Sequence, residues 1–444
     1  MQRTLILDCS SKIGEKVKIC GWVQVRRDHG KILFLDVTDR SGLIQVVVSR
    51  GVNVDHLRGG LTPQDVVSIV GTVNKRPENL VNRNIPTGEI ELAVDEIEVL
   101  SKANPDLPIP IIEKGNENET DQALRMDWRF LDLRKPEKRL IFEVWTAMEQ
   151  AFMDYCVAND FIEIHSPKTL VTSTESGSEL FEIKYFGKKA YLAQSPQLYK
   201  QMAMAAGFEK VFEIGPVFRA NPSFTSRHDT EFTMYDVEIS FIESHHDLME
   251  LEEAVMVAIF TAIKDKYGKQ IKEVFGQEVI VPKRPFPKFT LREAKEILAK
   301  LGIPNERGED LSPEEERAIA KYIQEKERHD FVFIHEWPAS TRAFYSMRLE
   351  KDTTLTKSFD LLYRGLEITS GAQREHRYEH LKKQIEEKGF KLEPFKSYLD
   401  FFKYGCPPHG GFAPGPSRIV MQILGLSNVR EVTYLYRGPN RLTP

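Results

Sequence analysis

Along the first hundred residues, apolar and polar positions alternate in five short runs: KVKICGWVQV, KILFLDV, GLIQVVVS, DVVSIVGTV and GEIELAVDEIEVL. A period of two sends successive side chains to opposite faces of an extended chain, so each run predicts a strand with one buried face. Turn-rich segments, RRDHGK, TDRSG and RPENLVNRNIPTG, lie between them. Strands so spaced predict a small closed antiparallel barrel over residues 1–102. An OB-fold is the economical form, although periodicity fits other five-stranded barrels equally. The next stretch, SKANPDLPIPIIEKGNENETDQ, is rich in proline and polar residues and predicts a hinge over 103–134.

The pattern then changes period. From Glu137 to Val157 the residues Ile141, Val144, Trp145, Met148, Phe152 and Tyr155 recur at helical spacing, which predicts one long amphipathic helix. DFIEIHSPKTL reads as a strand stopped by Pro167. Period two returns in KAYLAQS, KVFEIGPVFR, EFTMYDVEISFI, FVFIHEW, AFYSMRL and SFDLLYRGLEITSG, predicting a second, mostly antiparallel sheet. Helical stretches sit between these strands, one of them opened by Ser312, Pro313 and Glu315 as cap, first-turn proline and capping-box partner. The segment from about 268 to 328 interrupts the strands and predicts a helical insertion. The expected fold class is therefore α+β, a five-stranded barrel followed by an antiparallel sheet flanked by helices over 135–444.

Composition narrows the classes. The 444 residues are 41% hydrophobic and 29% charged, and no apolar run approaches the roughly 20 residues that cross a bilayer. A net charge of −5 gives no general basic field of the kind that attracts nucleic acid indiscriminately. If RNA binds, local patches must hold it. The four cysteines, Cys9, Cys20, Cys156 and Cys406, lack metal-site or disulfide-framework spacing and read as structural thiols. MQRTLILDCSSKIGEK has none of the layout of a secretory signal, so a cytoplasmic setting is expected.

Candidate chemistry concentrates in the second half. FRANPSFTSRHDTEF (218–232) predicts a hairpin that aims Arg219, Arg227 and His228 at one polyanion, with Phe232 as a stacking surface and Glu231 beside it. ATP meets both demands; taken alone, the stretch also fits a solvated hairpin tip. HGGFAPGPSR (409–418) is a glycine-rich turn entering a helical pattern, with Gly415 in the turn and Arg418 near the helix start. SFDLLYRGLEITSGAQR carries Asp360 and Glu367, whose odd spacing requires a bulge at Arg364 or Gly365 if both are to meet Mg²⁺ on a phosphate chain; as a pair alone they also read as ordinary surface acids. QSPQLYKQ offers Gln197 and Lys200 at a helix start, and TSTESGSELF reads as a loop holding Glu175.

These stretches resemble a known family, the class II aminoacyl-tRNA synthetases, and within it the aspartyl-tRNA synthetases. DFIEIHSPKTL, FRANPSFTSRHDTEF and GGFAPGPSR look like the three family signatures, and QSPQLYKQ, TESGSELF and EITSGAQR like elements of the aspartyl branch. The likeness runs over nearly the whole chain, in a form too short for the large extra domain of bacterial members. It implies ATP-dependent activation of L-aspartate to aspartyl-adenylate and transfer to the 3′ end of tRNA(Asp) by a homodimer with Pro167 at its interface. It also implies roles by position. Arg219 would hold the α-phosphate and the substrate carboxylate, Arg227 and His228 the γ-phosphate, and Phe232 and Arg418 the adenine. Glu367, with Asp360 or Ser370, would hold Mg²⁺. Glu175, Gln197 and Asp236 would meet the amino group of aspartate, and Arg374 and Lys200 its side-chain carboxylate. On the barrel, Phe34 would stack an anticodon base, Gln45 and Glu91 would read bases, and Arg27 would touch bases or phosphates. His29 tends to accompany relaxed choice between tRNA(Asp) and tRNA(Asn) in similar enzymes. The chain departs from the family pattern at Pro414, which removes a backbone donor, and at Ser417, which replaces an acid that orients the arginine after it. That altered turn, with Pro416, leaves a non-catalytic RNA-binding paralogue as the reading from another class.

Overall fold

The computed structural model describes residues 1–30, 32–49, 60–112, 120–171, 179–222 and 225–444. They form two compact units, Met1–Pro110 and Ile111–Pro444. In the first unit, β1 (Lys16–Asp28), β2 (Leu33–Thr38), β3 (Leu43–Val48), β4 (Val66–Lys75) and β5 (Ile90–Ser101) close into a barrel in the order β1-β2-β3-β5-β4. The alternation seen in sequence sets the faces: Ile19, Leu35, Ile44, Ile69 and Leu92 point inward and are buried, while Phe34, Gln45 and Glu91 lie on the outer face. Closure needs one parallel pairing, β3 with β5, in an otherwise antiparallel barrel. It also needs Gly71, because a Cβ there would lie 2.2 Å from the carbonyl oxygen of Ala93.

The second unit begins inside the expected hinge. Helices α1 (Gln122–Asp127) and α2 (Arg129–Asp132) occupy the last part of 103–134. Ion pairs rather than apolar periodicity hold them. Arg125 donates to both Glu431 oxygens at 2.8 and 2.7 Å, Lys138 lies 2.9 Å from the same carboxylate, and Arg129 is buried against Asp132 at 2.7 Å. Hydrogen bonds and cations hold Glu431 well below the usual carboxylate range despite its burial. A polar stretch that reads as linker is thus an ordered anchor for the C-terminal segment.

The long helix α3 (Pro136–Ala158) forms as its spacing predicts, with Ile141, Val144, Met148 and Phe152 buried. After it come β6 (Ile162–Glu163), β7 (Thr169–Leu170), β8 (Glu182–Tyr185), β9 (Lys188–Leu192), α4 (Gln197–Ala205), β10 (Lys210–Phe218), β11 (Glu231–Ser240) and α5 (His245–Phe275). The chain continues through β12 (Lys288–Thr290), α6 (Leu291–Lys300), α7 (Pro313–Glu327), β13 (Phe331–His335), β14 (Ser358–Tyr363) and β15 (Leu366–Gln373). It ends with α8 (Tyr378–Glu387), α9 (Lys396–Lys403), β16 (His409–Pro414), α10 (Pro416–Ile423) and α11 (Val429–Val432).

Eight of these strands make one sheet in the order β12-β13-β14-β15-β16-β11-β10-β6, and β7-β9-β8 make a small second sheet. Residues of α3 and α5 join those of the central strands in the main hydrophobic core. The segment 268–328 is only partly a helical insertion: its start completes α5, and Lys288–Thr290 adds a parallel edge strand before α6 and α7. Ser312 caps α7 with the expected Glu315 capping box. DFIEIHSPKTL yields only two-residue strands, because Pro167 and its polar neighbours break the pairing; Pro167 is exposed.

Candidate active site

A cavity of about 650 Å³ opens on the sheet, over β11, β15 and the β16–α10 turn. Strands β10 and β11 pair antiparallel, with Val217 opposite Phe232 and Glu213 opposite Asp236. Side chains two apart on β11 share a face, so Phe232, Met234 and Asp236 all line the cavity, and Arg219 enters from just beyond β10. The Arg219 guanidinium lies 5.5 Å from the Phe232 ring centre, a cationic group against an aromatic platform.

One end of the cavity is cationic and lightly tied. Arg418, on the first turn of α10, donates to the backbone oxygen of Glu367 at 2.8 Å and sits 3.9 Å from its carboxylate. Arg227 pairs with Glu316 of α7 at 2.8 Å. His228 lies between these arginines; burial and the fields of Arg418, Arg227 and Arg219 push its pKa down to about 4, so the ring is neutral at pH 7. Of the departures at the turn, Pro414 ends β16 opposite Thr369. Pro416 occupies the first position of α10, where its missing N–H is unused, and Gly415 carries the bond to Ile368 at 2.7 Å. Ser417 is buried on the cavity wall, and Arg418 is held by the backbone oxygen of Glu367.

The other end is charged through and through. Arg374 reaches Glu238 with Nε at 3.0 Å and donates through Nη2 to the backbone of Gly411 at 3.0 Å, its guanidinium 5.3 Å from the Tyr345 ring centre. Lys200 lies 2.9 Å from Asp236 and 3.4 Å from Glu238. The glycine is required here: a Cβ at Gly411 would sit 2.3 Å from a Glu238 oxygen. Two cations hold Glu238 below the carboxylate range, while burial outweighs Lys200 and raises Asp236. Gln197 is buried on this wall, and its Nε2 has no hydrogen-bond partner among the described residues, a donor left for a ligand.

Most of the expected residues therefore converge: Arg219, Arg227, His228, Phe232, Asp236, Gln197, Glu367, Ser370, Arg374, Gly415 and Arg418 share one cavity. Three do not take their expected places. Lys200 is 1% exposed and stands behind Asp236 and Glu238, not at the cavity surface, because α4 packs it under β11. Asp360 is buried and gripped through both oxygens by Arg342, whose Nη1 also donates to Ser370 at 3.1 Å; the pair leaves no free carboxylate for a metal. Glu231, opposite Phe218, is exposed and off the cavity wall. Glu175 lies outside the described residues. Asp360 and Glu367 stand on the two strands of a hairpin turned at Arg364 and Gly365, both at positive φ, with a bulge after Leu361. Glu367 and the exposed Ser370 are a donor set that suits Mg²⁺, which takes one or two carboxylates and completes its shell with phosphate and water.

Sequence reasoning missed Glu238, Arg342 and Glu316. The first was legible, since Asp236 and Glu238 alternate in EFTMYDVEIS and must share a face. The other two come from separate elements and carry no local signal.

On the barrel, Arg27, Phe34, Gln45 and Glu91 form one outer patch across four strands. Arg27 is opposite Phe34 and Gln45 is opposite Glu91. Gln45 donates to Glu91 at 3.2 Å, Arg27 grips Asp36 with two 2.8 Å bonds, and His29 meets Phe34 edge-on with ring centres 5.7 Å apart. An aromatic ring flanked by amide, carboxylate and guanidinium groups can stack and read a single-stranded base.

The profile of a family described as tRNA synthetases class II (D, K and N) matches residues 121–437, and that of an OB-fold nucleic acid binding domain matches 17–100. An aspartate–tRNA(Asp/Asn) ligase of Aeropyrum pernix is 45% identical over 99% of this chain and 98% of its own. An aspartate–tRNA(Asp) ligase of Pyrococcus abyssi is 41% identical over 97% of each chain. Among solved structures, asparaginyl-tRNA synthetase from Pyrococcus horikoshii complexed with asparaginyl-adenylate superposes with a TM-score of 0.90 at 30% identity, covering 100% of both chains. Aspartyl tRNA synthetase from Entamoeba histolytica gives 0.88 at 31%, over 100% of this chain and 93% of its own.

Proposed function

This chain belongs to the class II tRNA synthetases (D, K and N) and carries an OB-fold nucleic acid binding domain, and from that premise we infer that it is an aspartate–tRNA ligase. The observation that carries the reading is the convergence of Arg219, Arg374 and Arg418 on one cavity, with the buried Lys200–Glu238–Arg374 cluster at one end. In the first half-reaction an oxygen of the aspartate α-carboxylate attacks the α-phosphorus of ATP; the bond to the bridging oxygen breaks, giving aspartyl-adenylate and pyrophosphate. In the second, the terminal ribose hydroxyl of tRNA takes the aspartyl group, its proton leaves, and AMP departs. No protein nucleophile is needed, so rate comes from positioning and charge neutralisation.

Arg219 bridges the α-phosphate and the attacking carboxylate. Phe232 and Arg418 hold the adenine between them, and Arg227 and His228 meet the γ-phosphate. Glu367 and Ser370 would hold Mg²⁺, which neutralises phosphate charge when bound. Asp236 and Gln197 receive the ammonium group of the amino acid, and Arg374 grips the side-chain carboxylate. Glu238 and Lys200 stand behind it, and Glu238 with the Gly411 carbonyl fixes the guanidinium that faces the ligand. Asparagine would offer an amide donor to that cation and leave it unpaired, a mismatch that polar sites reject by orders of magnitude. On the barrel, Phe34, Gln45, Glu91 and Arg27 receive the anticodon. Labelled aspartate, ATP and a tRNA(Asp) transcript should give aspartyl-tRNA, and Arg219→Ala should abolish it; charging by that variant at the parent rate would refute the role.

A second reading, charging of tRNA(Asn) with aspartate as well, is favoured by His29 against Phe34 and by the Asp/Asn name of the Aeropyrum pernix relative. Transcripts of the two tRNAs, compared at equal concentration, separate the readings. The working unit is proposed to be a cytoplasmic homodimer. Among the described residues no helix is long and apolar enough to cross a membrane. Edge strand β6 carries exposed Ile162, with exposed Pro167 just beyond, an edge that pairing with a second copy would cover.

A further inference from the structure

We propose that His245, His246 and His335 form a binding site for a divalent first-row transition ion, zinc by preference, on the face of the sheet turned away from the nucleotide cavity. The three imidazoles come from two elements, the first turn of α5 and the end of β13. One ring nitrogen from each lies within 4.8 Å of the other two, and Nε2 of His245 is 3.4 Å from Nδ1 of His335. With Zn–N bonds of about 2.0–2.1 Å, two ligand atoms on a tetrahedral ion stand roughly 3.3–3.4 Å apart. One pair is therefore already at ligating separation, and the exposed His246 can close on it by side-chain rotation. The ring centres, 4.4, 5.4 and 5.4 Å apart, leave the trio converged rather than splayed.

Register separates this cluster from the cavity. On β13 and β14, Ile334 is opposite Asp360, whose side chain meets Arg342 and Ser370 at the cavity, and His335 is opposite Phe359, which is buried in the core beneath α5. Successive residues face opposite ways, so His335 points from the other side. The chemistry of the donors suits the ion. His245 is 4% exposed and its Nδ1 has no hydrogen-bond partner among the described residues. Burial and the neighbouring rings push His245 down to about 3 and His335 to about 4, so both offer lone pairs at neutral pH, the state a metal requires. Imidazoles select zinc, copper, nickel or cobalt over Mg²⁺. Of the nearby charges, Lys288 is neutralised by Glu253, Glu336 lies 3.8 Å from His335, Glu293 also faces His335 and Lys357 faces His245; Asp247 in the capping box counters the positive end of α5. Glu336 or water would complete the shell.

The test is titration of Co²⁺ into chelator-stripped full-length protein in excess Mg²⁺, read by the visible absorption of tetrahedral cobalt. One equivalent should bind and Zn²⁺ should displace it. His246→Ala, at an exposed position, should weaken Co²⁺ binding by on the order of 100-fold or more, while aspartate-dependent pyrophosphate exchange stays within about twofold of the parent. Absence of the tetrahedral band, or equal affinity in the parent and His246→Ala, would overturn the proposal.

Discussion

The two ends of the catalytic cavity are both rich in arginine, yet they hold their charges differently. At the proposed amino-acid end, Arg374 and Lys200 are locked by wholly buried acids, Glu238 and Asp236. At the proposed nucleotide end, Arg418 rests on a backbone oxygen and the partly exposed Arg227 on a buried Glu316, and His228 stays neutral among them. A buried cluster of fixed charge suits a small ligand that must be told from its amide, because the cost of an unpaired charge there is high. A lightly tied cluster suits a polyphosphate that brings its own counter-ions and must leave as pyrophosphate. In the proposed reading, selectivity and turnover are served at opposite ends by the same residue types in different settings.

The sharpest way to break the contrast is Glu238→Gln. It leaves Lys200 and Arg374 facing only Asp236, and removal of one member of a buried ion cluster costs about 3–5 kcal/mol. Urea melts should show that loss together with a raised KM for aspartate, and an unchanged melt would mean the cluster is not locked. Phe34→Ala touches neither end and serves as the control. It should lower kcat/KM for tRNA by the roughly 1–3 kcal/mol of a lost base stack, with pyrophosphate exchange unaltered.

Protonation sharpens the comparison further. His228 is neutral down to about pH 4 in the free protein, and the negative charge of a triphosphate favours its protonated form. ATP binding should therefore take up a fraction of a proton just above pH 4 and weaken as pH rises from there. Calorimetry in buffers of different ionisation heat reads the uptake, and His228→Gln should remove it. The same shift predicts that His228 costs stability as pH falls from about 6.5, where the unfolded ring protonates, to about 4, where the folded one does. The smallest effect is expected from Glu316→Gln, because burial already raises the Glu316 carboxyl and offsets its attraction to Arg227. A few-fold change in KM for ATP, with KM for aspartate unmoved, is the expected result.

What could be read from sequence follows what is local. Period-two alternation located the five barrel strands and the β10–β11 hairpin, helical spacing located α3, and Ser312, Pro313 and Glu315 marked the start of α7. Motif spacing brought the arginines to one cavity. What escaped was set by tertiary pairing. Glu316 stands 89 residues from Arg227, and Arg342 comes from a loop that no periodicity marks, so their partners were invisible and Asp360 looked free. Helices α1 and α2 read as linker because buried ion pairs with Glu431, not an apolar stripe, fix them. Lys200 sits in the right cluster at the wrong depth, since a helix start seen in sequence does not say which face is covered.

The central claim, that a buried charge set selects the carboxylate of aspartate, is tested most directly by ATP–pyrophosphate exchange with aspartate and with asparagine, on the parent protein and on Arg374→Ala. The account predicts rapid exchange with aspartate, exchange with asparagine lower by several orders of magnitude, and loss of the aspartate-dependent rate in a folded Arg374→Ala. Comparable rates with the two amino acids in the parent, or an unimpaired aspartate rate in the variant, would contradict it.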